Sequence, residues 1–232
     1  MKLLALDTSS VACSVALHIG SAVFERHEEQ AREHTRLLMP MIREVLAEGQ
    51  VDVSDLDAVV LGNGPGSFIG TRIAASVAQG LAHGAGLDIV PVSSLAAVAA
   101  EVFAKTDANA VVVAQDAHMN EVYLGGYCRG DANYPDPMFA ERLHGQVPIE
   151  ELESDDAGSR IAAGFGWHRY PALAAANASM FDSFSDIQLP RAKFLLPLGA
   201  IALQCGASVN PKDIVPAYLR DKVAEEPCQD GS

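Results

Sequence analysis

The 232-residue chain contains no Gly-Lys pair, so it has no Walker A loop, whose lysine follows a glycine to reach bound phosphates. Its histidines stand at positions 18, 27, 34, 83, 118, 144 and 168, and no two are three or four residues apart. No helix can therefore present a histidine pair to a metal in the manner of H-E-x-x-H. The four cysteines, Cys13, Cys128, Cys205 and Cys228, form no CxxC pair, which argues against a zinc knuckle or a disulfide framework and for reduced thiols in a cytoplasm. No apolar run approaches the roughly 18 residues of a membrane span. The start, Met1-Lys2-Leu3-Leu4-Ala5-Leu6-Asp7, is too short and too soon acidic for a signal peptide. Positive charge is scarce: 16 Lys and Arg face 30 Asp and Glu, a net charge of −14. Such a surface repels phosphate backbones, so any part in nucleic-acid chemistry has to run through a more basic partner.

With 49% hydrophobic residues the chain can bury a sizeable core, as one large domain or two small lobes. Its most pointed segment is Gly64-Pro65-Gly66-Ser67-Phe68-Ile69-Gly70-Thr71-Arg72-Ile73. It joins the apolar run Ala58 to Leu61, read as a buried strand, to a small-residue helix running to Ala82 or His83. A strand, a glycine turn and a helix N-terminus make a candidate anion site. The spacing does not fit the known versions. G-x-G-x-x-G starting at Gly62 or Gly64 meets Ser67 or Ile69 where its third glycine belongs, and G-x-S-x-G fails on both sides of Ser67. The residues themselves favour a structural turn, with positive φ at Gly64 and Gly66 and Ser67 as helix cap.

Strands are expected over Lys2 to Asp7, Ser14 to Ile19 and Ala22 to Glu28, with Gly20-Ser21 as a tight hairpin. A helix from Thr35 to Glu48, with Pro40 as a kink or late start, comes next. The strand and helix around the glycine turn are followed by a strand at Ile89 to Val92. A helix from Leu95 to Phe103 then follows, capped by Ser93 or Ser94. Three strands, helix, strand, helix, strand, helix is the ribonuclease H-like plan. The second half reads as a weaker copy, with strands Ala110 to Gln115, Val122 to Cys128 and Ile161 to Phe165. Arg129 to Asp136 reads as a loop, and Phe194 to Cys205 as a helix with Pro197 in its first turn. The expected α/β architecture is two tandem ribonuclease H-like lobes, as in actin, Hsp70 and sugar kinases. The first lobe spans 1–105 and the second, diverged lobe 106–224, with a C-terminal segment able to return to the first. A disordered tail occupies 225–232.

Asp7-Thr8-Ser9-Ser10 stands where two-lobed kinases place their first phosphate loop. Asp7, Thr8 and Ser9 are thus weak cofactor candidates against a plain turn-capping role. The counterpart Asp116-Ala117-His118-Met119 lacks the glycine and hydroxyls of a second such loop. His34 reads as a surface or capping residue and His168 as a turn residue. In the first helix, Leu37, Leu38, Met39, Met41, Ile42, Val45 and Leu46 cover more arc than one core requires. In the second, Gly70, Ala74 and Ala78 form a small-residue ridge beside Ile73, Val77 and Leu81. Packing on the protein's own sheet and a subunit interface are both open for that ridge.

Several segments together resemble the TsaB (YeaZ) family. They are Leu6-Asp7-Thr8-Ser9 with Ser14-Val15-Ala16-Leu17, Gly64-Pro65-Gly66-Ser67-Phe68 with Gly70 and Arg72-Ile73, Asp116-Ala117 with Glu121-Val122-Tyr123, and Pro216-Ala217-Tyr218-Leu219-Arg220. Ile69, Ala74 and His118 depart from the family's usual threonine, glycine and arginine. The resemblance implies the two-lobed fold and a part in forming threonylcarbamoyladenosine at position 37 of tRNAs that read codons beginning with adenine. It implies a non-catalytic subunit that activates a TsaD-like transferase, with a TsaE-like ATPase joining them. It also implies homodimers in isolation, tRNA met only through the complex, and ATP and magnesium supplied only through partners. No catalytic or metal-binding residue is expected in this chain. The partner face implied is the first two helices: Leu38, Met41, Ile42, Val45, Gly70, Ile73, Ala74, Val77 and Leu81, with a bare apolar patch among them. The competing expectation is a standalone kinase-like phosphotransferase or a peptidase, which would need Asp7 or a metal cluster to act.

Overall fold

The computed structural model describes residues 1–30, 32–152 and 158–219. Arg220, Cys228 and the expected 225–232 tail lie outside the described residues. The first half contains β1 (Lys2–Asp7), β2 (Cys13–Ile19), β3 (Ala22–Glu28), α1 (His34–Gly49), β4 (Ala58–Gly62), α2 (Phe68–Ala85), β5 (Ile89–Val92) and α3 (Ser94–Lys105). The second contains β6 (Ala110–Asp116), β7 (Val122–Arg129), β8 (Pro135–His144), β9 (Arg160–Ala163), α4 (Phe165–Arg169), α5 (Pro171–Asn177), β10 (Ser183–Phe184) and α6 (Ala192–Gln204).

The first sheet runs β3-β2-β1-β4-β5, antiparallel through its first three strands and parallel from β1 to β5. The second repeats that order as β8-β7-β6-β9-β10, with the same change from antiparallel to parallel pairing. The chain therefore carries two ribonuclease H-like lobes in tandem. β1 is an unbroken apolar run because both of its faces are covered. Leu4 and Leu6 pack under α1 and α2, while Leu3 and Ala5 pack under α6. Gly20, with φ of +60°, makes the β2–β3 hairpin at the expected place.

Five layers result: α1 and α2, the first sheet, α3 with α6, the second sheet, then α4 and α5. The expected boundary at 105–106 falls at the end of α3. That helix serves both lobes, Ala97 and Ala100 facing the first sheet and Val98, Val102 and Phe103 the second. α6, although late in sequence, lies on the first sheet. Its start is fixed by the Ala192 amide donating to Ser14 Oγ at 2.9 Å and by Arg191 forking onto the Glu25 carboxylate at 3.1 and 2.7 Å. Among the described residues no helix is long and apolar enough to cross a membrane.

Several expectations need correction. α1 starts at His34, so Pro40 does not mark a late start but lies inside the helix, on its exposed side. Pro197 lies in the second turn of α6, which begins at Ala192. The polar stretch expected as a loop to Asp136 gives way at Pro135 to β8, where prolines are tolerated because β8 is an edge strand. Phe165 opens α4 and does not end β9, and His168 is helical, not a turn residue.

Candidate functional site

β1 delivers Asp7 to the centre of the molecule, where its side chain is buried. Both oxygens are occupied from within. Oδ1 accepts the Ser9 amide and the Ser9 hydroxyl, each at 2.8 Å, and Oδ2 accepts the Ser94 hydroxyl at 2.6 Å. Burial pushes the carboxyl above the ordinary aspartate range, and the hydrogen bonds from Ser94 and Ser9 oppose that only in part. Thr8 and Ser9 are buried with it. The three weak cofactor candidates thus converge, but as an internal knot and not as an open cradle.

The glycine turn closes over this knot. The Ser67 amide donates to the Ser9 carbonyl at 2.7 Å, and Thr8 Oγ1 donates to the Gly70 carbonyl at 2.6 Å. A Cβ on Gly62 would sit 2.1 Å from Asp7 Oδ2, on Gly64 2.4 Å from the Ser94 amide, on Gly66 2.2 Å from the Ser9 carbonyl and on Gly70 1.9 Å from the Thr8 carbonyl. None of these four has positive φ, which corrects the expectation for Gly64 and Gly66. Close approach, not left-handed backbone, is what demands glycine here. Ser67 caps α2 as expected, its hydroxyl accepting the Gly70 amide at 3.2 Å.

Ser93 caps α3 through the amides of Leu95 and Ala96, at 3.1 and 3.3 Å. Its hydroxyl and that of Tyr127 both donate to the Glu141 carboxylate of β8. Burial together with that carboxylate raises the Tyr127 phenol well above its usual range. The N-terminus of α3 therefore ties Asp7 of the first lobe to Glu141 of the second. The sequence singles out Ser93 and Ser94 but not Glu141, which lies on the unexpected strand β8, nor Tyr127, which lies on the expected strand β7 with no local signal of its contact.

The second-lobe turn is unlike the first. His118, Met119 and Asn120 take left-handed backbone in succession, with φ of 59°, 51° and 60°. Each such non-glycine residue costs about 1–2 kcal/mol relative to ordinary backbone. Asp116 Oδ1 holds the turn by accepting the His118 amide at 2.8 Å and the Tyr170 hydroxyl at 2.7 Å. Desolvation and the Asp116 carboxylate push the Tyr170 phenol up to about 12. Between this turn and the start of α2 lies a cavity of about 120 Å³, bordered by Ser67, Thr71, Asp116 and the C-terminal residues Ala217 to Leu219.

The expected partner face is only partly at the surface. Leu38, Met41, Ile42 and Val45 are buried, and so are Gly70 and Ala74. α1 covers its wide apolar arc with two of the chain's own elements, the first sheet and α2. The Gly70–Ala74–Ala78 ridge faces inward against the same core, so the expected bare patch is not there. Ile73, Val77 and Leu81 are half-buried, beside exposed Ser76, Gly80 and Gly84. His34, expected as a surface or capping residue, is buried at the first position of α1, after the cap Glu33, and among the described residues its Nε2 has no hydrogen-bond partner. Among the described residues no three His, Cys, Asp or Glu side chains are placed to hold a metal ion.

A family model described as TsaD, tRNA N6-adenosine threonylcarbamoyltransferase, matches residues 24–153, more than half of the chain. A Haemophilus influenzae protein named tRNA threonylcarbamoyladenosine biosynthesis protein TsaB is 38% identical over 96% of this chain and 95% of its own length. Its Escherichia coli namesake is 34% identical over 97% and 96%. Among solved structures, YeaZ from Pseudomonas aeruginosa superposes with a TM-score of 0.84 at 34% identity, covering 94% of this chain and 99% of that one. A second Pseudomonas aeruginosa structure, described as an uncharacterized protein with similarity to peptidase YEAZ, gives 0.83 at the same identity and coverage.

Proposed function

The chain belongs to the TsaB (YeaZ) family, and from that premise we propose that it is the partner subunit of a TsaD-type transferase in forming N6-threonylcarbamoyladenosine on tRNA. The observation that carries the partner reading is the outer face of α2. Gly80 and Gly84 sit within this helix, and a Cβ on either would meet nothing within 4 Å. Each interior helix glycine costs about 1 kcal/mol relative to alanine. Gly70 has an internal reason to be glycine, and these two have none inside the fold. Together with Ser76 they leave a shallow track flanked by Ile73, Val77 and Leu81, which suits a second helix packed at close range.

A non-catalytic role is supported by the state of Asp7. A kinase-like site needs that carboxylate exposed to magnesium, whereas here hydroxyl and amide donors occupy both oxygens beneath the glycine turn. In this reading ATP and magnesium enter through partner proteins, with a TsaE-like ATPase as third component. The same face pairs two copies when the transferase is absent. The net charge of −14 leaves tRNA to the more basic partners.

The test is reconstitution of the modification with purified components, with and without this chain, together with binding of the TsaD-type partner. Val77→Asp places an unpaired charge in the contact and should abolish pairing; because Val77 also packs partly against the core beneath α2, the variant is read at a temperature where its circular dichroism spectrum is native. Wild-type binding by a folded Val77→Asp variant would move the interface elsewhere. An unchanged yield of modified tRNA without the chain would refute the function.

A further inference from the structure

The start of α2 carries a second surface that the helix track does not account for. Phe68, Met119 and Tyr218 line the 120 Å³ cavity, and Ile69 and Val215 adjoin them along the chain to make an apolar rim; all five are exposed, Ile69 at 69% and Val215 at 65%. Three separate segments contribute to it. The Asn63 side chain holds the Val215 carbonyl at 3.0 Å, and Tyr218 leans on Phe68 with ring centroids 6.3 Å apart.

Arg72 lies over the Phe68 ring and reaches across to Tyr218. Its guanidinium carbon lies 3.3 Å from the Phe68 centroid and 5.2 Å from that of Tyr218, and its Nε donates to the Tyr218 hydroxyl at 2.9 Å. The Phe68 ring stacks on the cation, and the hydrogen bond to the Tyr218 hydroxyl orients it. Among the described residues no carboxylate lies within ion-pair distance of Arg72, although the chain has 30 Asp and Glu. The two terminal nitrogens are thus an oriented fork for a carboxylate from beyond the described residues, set among exposed apolar side chains.

We propose that this rim is a docking surface for the TsaD-type partner and receives a segment in which an apolar side chain is followed closely by an Asp or Glu. The proposal rests on the partner reading above and extends it. Ile69 lies one helical turn before Ile73 and two before Val77, so the rim continues the α2 track toward the cleft between the lobes. Three of the five rim residues are aliphatic, and a chain of −14 net charge repels a phosphate backbone, so the surface suits a protein segment and not a nucleic acid.

Binding of the purified TsaD-type partner to wild type, Ile69→Asp, Arg72→Glu, Arg72→Lys and Val77→Asp tests this by titration. Ile69 is the exposed second residue of α2, where an acid complements the helix dipole, so Ile69→Asp keeps the fold. Ile69→Asp and Arg72→Glu should each weaken binding at least tenfold. Arg72→Lys should lose part of that, because lysine keeps the charge without the fork. Wild-type affinity for Ile69→Asp and Arg72→Glu, with Val77→Asp inactive, would overturn the rim and leave the partner reading intact. Failure of the wild type itself to bind would overturn both. Binding of tRNA to the chain alone that Arg72→Glu abolishes, with partner affinity unchanged, would also overturn the rim as a protein surface.

Discussion

Gly70→Ala and Gly80→Ala lie on one helix and should move stability in opposite directions. By helix propensity alone each gains up to about 1 kcal/mol. At Gly70 the added Cβ would stand 1.9 Å from the Thr8 carbonyl oxygen, where contacts under 3.0 Å do not occur, so the two segments must part by about 1 Å. Overpacking of that kind costs about 1–3 kcal/mol. The separation also breaks the Thr8 hydroxyl bond to the Gly70 carbonyl and the Ser67 amide bond to the Ser9 carbonyl. Each such bond contributes about 1 kcal/mol net. After subtracting the propensity gain, Gly70→Ala should destabilise by about 2–4 kcal/mol, which lowers the melting temperature by roughly 4–16 °C in a chain of this size. Gly80→Ala meets nothing and should raise it by about 2–4 °C. Urea and thermal unfolding followed by circular dichroism read both. A neutral or stabilising Gly70→Ala would refute the account of the glycine turn as a close-approach device.

The Asp7 carboxyl binds its proton more tightly folded than unfolded, so its contribution is fully present at low pH and is lost as pH rises through its raised value. Asp7→Asn removes that titration. The wild type should therefore lose stability relative to Asp7→Asn as pH rises from about 4, the ordinary aspartate value, and a pH-independent difference in urea unfolding would contradict it. Calorimetry of the chain alone with ATP and magnesium should give no saturable heat; tight binding that Asp7→Ala abolishes would instead restore the standalone phosphotransferase. Glu141→Ala leaves the Ser93 and Tyr127 hydroxyls without their acceptor and should cost about 1–3 kcal/mol with faster amide exchange in β7 and β8, whereas unchanged exchange would mean that the lobes are joined elsewhere.

The first lobe was legible because its signals are local. The apolar runs of β1 and β4, the Gly20-Ser21 hairpin and the caps Ser67 and Ser93 each fix an element by near-neighbour chemistry. β8 was not, because an edge strand tolerates Pro135 and Pro137 and needs only one apolar face, so its composition resembles a loop. Whether an apolar helix face is covered by the same chain is a tertiary fact. Leu38, Met41, Ile42 and Val45 look the same in sequence whether they meet β2 and α2 or a partner. The glycines separate only in three dimensions as well: Gly70 abuts a backbone oxygen and Gly80 faces open space, a difference no spacing rule records. Arg72 and Tyr218 meet across 146 positions, beyond the reach of any local pattern.

The position of α6 fixes the order in which the protein can be completed. Leu3, Ala5, Ala16, Val60 and Val90 form one face of the first sheet, and Leu195, Leu196 and Leu198 cover it. Roughly 100 residues separate the end of β5 from the start of α6, so a ribosome adding about 5–20 residues per second leaves that face waiting about 5–20 s for its cover. During this interval the amino-terminal strands are a sheet with one dry side and one wet side. Cutting the chain between the lobes would preserve that unfinished state, so the first lobe cannot be expressed as a finished module without the closing helix.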